Sequence, residues 1–331
     1  MTTKDTAEAL YTGLSSIIKG KPRQLELLIV AYLTGGHLLL NDLPGSGKTT
    51  LAKTLARLVS SESQKEQPVL FKRIQCTPDL LPYDITGVDI FNPQTHSFDF
   101  IPGPIFCHIL LADEINRTPP KVQSALLEAM AEKQVTQNGT TRKTDDTFFV
   151  LATQNPVETS GTYPLPSAQL DRFMMHISLG YPDEDSELLI IRQDRGINTL
   201  EHLHPVITLE HIRESRKEQT KVFCHPALEK ALLRICRSTR KHPSIALGAS
   251  TRAATHLLHA ARTLALVRNR NWIIDTDVLD LAVPVLSHRL YLKDHTLNPE
   301  TLIHTLAQDI LNEMNRKTDW RNGPTSYEPH K

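Results

Sequence analysis

The sequence predicts an α/β fold: a parallel five-stranded sheet flanked by helices, followed by a smaller all-α domain. Three observations carry this reading. Up to residue 182, short apolar runs alternate with helical patterns, the rhythm of strand–helix–strand units. Two of those runs, 106–113 and 147–153, are nearly all apolar, as strands covered on both faces are. After Tyr181-Pro182-Asp183 the strand runs cease and helical periodicity takes over.

In chain order, residues 37–41, 69–75, 106–113, 147–153 and 174–179 read as the five strands. Pro119 and Pro120 open a helix whose apolar residues recur at Val122, Leu126 and Ala129. Asn138-Gly139 marks a type I′ turn in a hairpin over 134–142, and Asn92-Pro93 supplies the turn of a second hairpin over 89–101. In the helical part, Thr208 and Thr276 read as N-caps, with no convincing sheet. From residue 317 the chain is polar and proline-containing and reads as a frayed tail. The expected division is therefore 1–182, 183–316 and a tail at 317–331.

Composition narrows the function classes. Lys plus Arg equals Asp plus Glu at 37 each, so there is no global basic excess of the kind a nucleic-acid binder shows, although a local patch can hide in a neutral total. The most apolar stretch, 25–40, is broken by Glu26, Thr34, Gly35, Gly36 and His37, whereas a bilayer crossing needs about 20 apolar residues. Residues 1–10 lack the basic-then-apolar layout of a secretory signal. Cys76, Cys107, Cys224 and Cys236 form no CxxC pair and read as reduced thiols of a cytoplasmic protein. The histidines show no HxxxH or HExxH spacing for a zinc site.

Two motifs carry chemistry. The strand at 37–41 runs into Asp42-Leu-Pro-Gly-Ser-Gly-Lys-Thr-Thr50. Gly45 and Gly47 allow backbone N–H groups to turn inward around a phosphate, and a helix starting near Lys48 adds the positive end of its dipole. Pro44, Gly45, Ser46, Gly47, Lys48, Thr49 and Thr50 are the candidate ATP cradle, with Lys48 on the outer phosphates and the Thr49 hydroxyl on Mg2+. The general pattern asks for glycine five residues before Gly47; Asp42 stands there. The second motif is the end of the buried strand at Asp113-Glu114. Asp113 is placed to hold a water on the metal, and Glu114 to orient and deprotonate an attacking water. The alternative for this pair is a helix N-cap.

At this point the residues resemble the MoxR family of AAA+ ATPases. The resemblance rests on Leu43-Pro-Gly-Ser-Gly-Lys-Thr49, Leu110-Leu-Ala-Asp-Glu-Ile-Asn-Arg117, Pro119-Pro-Lys-Val-Gln-Ser-Ala-Leu-Leu-Glu-Ala-Met130, Ala152-Thr-Gln-Asn-Pro156, Leu170-Asp-Arg-Phe173 and Gly248-Ala-Ser-Thr-Arg252. It runs from about Gly20 to Val278 and accommodates the acidic residue at 42; Lys21 departs from it, where the family usually has Gln. The resemblance implies a P-loop AAA+ sheet domain with a helical lid. It implies that Asn155 is the sensor 1 residue, and that Arg172 is an arginine finger offered to the neighbouring subunit's γ-phosphate. Such fingers are worth about 10³–10⁵ in rate in related chemistry. Arg252, at the start of a helix over 252–266, corresponds to sensor 2, acting either on its own subunit's nucleotide or on a neighbour's.

A trans-acting finger implies a ring, here a homo-hexamer. The segment at about 86–104 matches the family's hairpin inserted into the helix after the second strand. In a ring it faces the pore, where His96, Phe98 and Phe100 either touch a client or pack the hairpin's base. The implied function is Mg-dependent ATP hydrolysis coupled to remodelling, maturation or cofactor insertion of a protein client, chaperone-like, with a von Willebrand factor A domain protein as a possible partner. Two other classes stand beside it. A nucleic-acid motor would grip phosphates through its hairpins, but 89–105 contains no Lys or Arg, and only Arg142 and Lys143 on the other hairpin favour it. A nucleotide-gated scaffold would have lost Glu114, Asn155 or Arg172, and all three are present.

Overall fold

The five expected strands form one parallel sheet: β1 (Leu38–Asn41), β2 (Phe71–Gln75), β3 (Ile109–Asp113), β4 (Phe149–Gln154) and β5 (Met175–Ile177), in the spatial order β5-β1-β4-β3-β2. This is a computed structural model, and it describes residues 1–42, 45–61, 67–156, 161–192, 200–294, 296–315, 320 and 323. Every residue of β3 is buried, as are the first five of β4, because helices cover both faces at the centre. β2 lies at the edge, and there only Ile74 is buried; its Lys72, Arg73 and Gln75 are left on the surface. That difference explains why the central strands are apolar throughout and the edge strand is mixed.

The Pro120–Glu132 helix begins one residue after its first proline and buries Val122, Leu126 and Ala129. Both hairpins form. Gly87–Asn92 pairs with Ser97–Pro102, and Gln134–Gln137 pairs with Thr140–Lys143 around a turn in which Asn138 and Gly139 both have positive φ. The first hairpin follows the one-turn helix Pro82–Thr86, but no helix resumes after it. Gly103 accounts for the tight return: a Cβ there would lie 2.2 Å from the Ile85 carbonyl oxygen.

Four expectations need correction or completion. Two N-terminal helices, Thr3–Ile17 and Pro22–Thr34, lie outside the strand–helix rhythm and pack against the later helices Leu209–Gln219 and Thr251–Val267. The first is closed by a capping box in which Thr2 and Asp5 exchange hydrogen bonds. Thr208 does cap its helix, but Thr276 lies inside the first turn of Asp275–Leu286; Ile274 is the cap, and its N–H donates to the buried Asp277 carboxylate at 3.0 Å. Two short pairings involve the helical part: Ile207–Thr208 joins Val59–Ser60 of the preceding part, and Ile245–Leu247 joins Tyr291–Leu292. Finally, most of the expected tail falls outside the described residues, yet Trp320 is 1% exposed and joins the main core. A large indole removed from water outweighs the polarity of its neighbours.

One buried cluster runs from the N-terminal helices through β1 into the helical part. Near it, burial holds the imidazoles of His37 and His176 down at about 4 and that of His256 at about 3, and holds His288 well below its ordinary value. His37 accepts the Val150 N–H at Nδ1 (3.0 Å) and sits with Nε2 3.2 Å from the Met130 carbonyl, which suits a neutral ring. These rings are neutral when folded and protonated when unfolded below pH 6.5, so stability is full above that pH and falls as pH drops toward 4. Each such histidine removes about 1.4 kcal/mol per pH unit across the window. The urea midpoint is expected to fall steeply between pH 7 and pH 5; a flat profile would refute the buried neutral histidines.

Candidate active site

In a parallel α/β sheet, ligands bind beyond the carboxyl ends of the strands. β1 ends at Asn41, level with Gln154 at the end of β4, and Gln75 at the end of β2 is level with Asp113 at the end of β3. The phosphate loop, the acidic pair and Asn155 therefore meet along one edge. Pro44 lies outside the described residues. Gly45 and Gly47 have φ of +83° and +85°, a left-handed conformation open to glycine, and among the described residues no atom beyond the adjacent ones stands within 4 Å of where a Cβ would point at either. Gly47 caps the ten-residue helix Lys48–Arg57, and the Ser46 hydroxyl is buried without a hydrogen-bond partner among the described residues. An open glycine turn at a helix N-terminus fits an anionic ligand. Thr49 and Thr50 follow in the first helical turn.

Lys48 donates from Nζ to the Asp42 carbonyl oxygen at 3.0 Å. The Asp42 side chain, 3% exposed, accepts from the Ser178 hydroxyl (2.8 Å) and from the N–H groups of Leu179 and Gly180 (both 2.9 Å). The acid at 42 thus ties the base of the loop to the segment leaving β5, which is why an unpaired glycine is not needed there.

Around the acidic pair the structure places residues that the motif reading passed over. Asp113 receives Arg73 through Nη2 at 2.6 Å and Nε at 3.3 Å, and the Thr153 hydroxyl at 2.8 Å. Glu114 accepts from Arg117 at 3.1 Å and from the Gln75 amide at 3.3 Å. Glu114 is left-handed (φ 60°, ψ 51°) and stands at the N-cap position of the 3-10 turn Ile115–Arg117, as the N-cap alternative expects, but its side chain makes no capping hydrogen bond among the described residues. That backbone costs a non-glycine residue roughly 1–2 kcal/mol. The Glu114 N–H donates to the Thr153 hydroxyl at 2.8 Å, which offsets part of it. Arg73 and Gln75 were visible only as polar residues in a strand, a signal that an edge position alone also explains. Thr153 was hidden in a strand of apolar neighbours.

Asn155 is 6% exposed at the same edge. Arg172 is not brought there. It precedes β5, whose Met175 is level with Leu38 at the start of β1, so it sits at the amino edge of the sheet. No ion-pair partner for its side chain is found among the described residues. Arg252 joins it from the helical part: Asp171 lies 3.7 Å from Arg252 and accepts from the Ser250 hydroxyl (2.7 Å) and from buried Arg289 (2.9 Å). Arg289 also donates to the Phe173 carbonyl at 2.6 Å, so the backbone on both sides of Arg172 is gripped by the helical part.

On the exposed hairpin, Phe98 is 70% exposed, with Val88, Ile90, Phe91 and Ile101 also on the surface. Phe100 instead lies under the Arg142 guanidinium (3.7 Å from ring centroid to Cζ) and edge-on to Phe106, so it packs the hairpin's base. Arg142 is further paired with Asp89 at 2.9 Å, which removes from phosphate contact one of the two cations that favoured a nucleic-acid grip.

Comparison with known proteins bears on the family and the fold. A family model described as the ATPase family associated with various cellular activities (AAA) matches residues 37–175, and an AAA lid domain model matches 237–313. The chain is 44% identical over 279 residues to the uncharacterized protein YeaC of Bacillus subtilis, covering 84% of this chain and 85% of that one. It is 39% identical over 318 residues to Chaperone MoxR1 of Mycobacterium tuberculosis, covering 92% and 82%. A crystal structure of a protein from Cytophaga hutchinsonii superposes with a TM-score of 0.83 at 37% identity, over 92% of this chain and 94% of that one. No helix among the described residues is long and apolar enough to cross a membrane.

Proposed function

The chain belongs to the MoxR family of AAA+ ATPases, and on that premise we propose that it hydrolyses Mg-ATP as a homo-hexameric cytoplasmic ring. The cycle is used to remodel, mature or load a cofactor into a protein client, with a von Willebrand factor A domain protein as its partner. Residues 1–182 form the nucleotide-binding unit and 183–316 the lid, and the C-terminal segment 317–331 returns Trp320 to the core. Within the site, the loop from Pro44 to Thr50 and Lys48 hold the phosphates, and Glu114 takes the proton of the attacking water while Asn155 helps position it. Thr49 and Asp113 would hold Mg2+, which supplies charge neutralisation between the phosphates.

The observation that carries the assembled form is the position of Arg172. It stands at the amino edge and its own phosphate loop at the carboxyl edge, separated by the four residues of β1, about 13 Å at ~3.3 Å per residue. A single guanidinium arm does not span that, so the finger serves a neighbour's nucleotide. Arg252, held through Asp171 beside it, goes with it and acts in trans as well. The exposed apolar hairpin is the surface offered to the client, through Phe98 in particular.

Mixing subunits tests this reading. Arg172→Ala rings are expected to bind ATP normally and lose turnover by about 10³-fold. Adding Glu114→Gln subunits, equally inactive alone, is expected to restore part of the activity, because an intact Glu114 site then meets an intact Arg172. No recovery in mixed rings would contradict the trans assignment.

A further inference from the structure

We propose that Thr153 is a positioning residue for hydrolysis, a single hydroxyl that sets the geometry of both acids at once. The inference rests on the ATPase reading above and adds to it a residue outside the phosphate loop, the acidic pair, the sensors and the finger. Thr153 is fully buried on β4, next to the position where Ala152 lies level with Ala112 on β3, so its side chain stands beside Asp113. Its hydroxyl hydrogen goes to Asp113 Oδ1 at 2.8 Å, and its oxygen accepts the Glu114 N–H, also at 2.8 Å. One donor and one acceptor capacity are thus spent on adjacent residues with different tasks.

The consequence follows from what each acid needs. Asp113 has its other oxygen on Arg73, so the Thr153 bond leaves the carboxylate no free rotation about its last torsion. Glu114 is held left-handed, and among the described residues its N–H donates to Thr153. Without the hydroxyl, that half-buried N–H loses its partner, and the residue is free to relax toward an ordinary backbone conformation that redirects its carboxylate. Asn155 follows directly on the end of β4, two residues beyond Thr153.

A merely structural threonine would lower stability and leave the chemistry of the folded fraction alone. A positioning residue changes turnover more than binding. Thr153→Val keeps the shape and removes the hydroxyl. It is expected to lower kcat about 10- to 100-fold while the dissociation constant for a fluorescent ATP analogue stays within about threefold. Thr153→Ser, which keeps the hydroxyl, is expected to retain kcat within about threefold. In a Glu114→Gln background, Thr153→Val is expected to cause a smaller further loss than in wild type, since the part of its effect that passes through Glu114 is already gone and only its Asp113 bond remains to be lost. If the valine variant does not fold, Thr153→Cys, whose thiol donates only weakly, carries the same expectation. A valine or cysteine variant that turns over at the wild-type rate would overturn the inference. Wild-type turnover that does not depend on Glu114 would instead overturn the ATPase reading beneath it, so the two failures are separable.

Discussion

Glu114→Gln is expected to lower steady-state ATP turnover by about 10²–10⁴-fold, the range typical for loss of a general base, and to leave ATP affinity nearly unchanged. Glutamine has the shape of glutamate but cannot take up a proton. The residue sits at the end of β3 with its carboxylate turned toward Arg117 and Gln75, and its backbone is fixed by the Thr153 hydroxyl. None of these is a contact of the phosphate loop, so binding should survive. Phosphate release in excess ATP, beside a direct binding titration, separates the two effects. A rise in the dissociation constant that matches the fall in rate would mean that Glu114 binds nucleotide rather than activating water.

Lys48→Ala is expected to weaken ATP binding at least tenfold, and more where the lost charge-assisted bonds are shielded from water. Lys48 opens the helix after Gly47 and already points back across the loop to the Asp42 carbonyl. The loop's own anchor is the Asp42 carboxylate on Ser178, Leu179 and Gly180, which the substitution leaves intact. The thermal midpoint without nucleotide should therefore match wild type, while the stabilisation on adding ATP should largely vanish. Full ATP-dependent stabilisation in the variant would place the nucleotide elsewhere.

The sheet was legible in the sequence because its central strands must be apolar on both faces, and both hairpins were legible because their turns need Asn-Gly or Asn-Pro. The N-terminal helices were not, since Pro22–Thr34 is buried on nearly every side and shows no polar stripe to set its period. Trp320 was misread as part of a tail because one buried indole does not change the polarity of a window. At the site, the motif residues declared themselves by spacing. Arg73, Gln75 and Thr153 did not, because their partners come from neighbouring strands and only the register of β2, β3 and β4 brings them together. The amino-edge position of Arg172 is likewise a property of sheet order, which no local pattern encodes.

The central claim is a hydrolase completed across subunit boundaries. The most direct test is Mg-ATP turnover per subunit, wild type beside Glu114→Gln, over a hundredfold range of protein concentration. The account predicts that wild-type turnover per subunit rises with concentration to a plateau and that the Glu114→Gln protein stays near background throughout. Wild-type turnover that is constant per subunit down to concentrations where the chain is monomeric would contradict it.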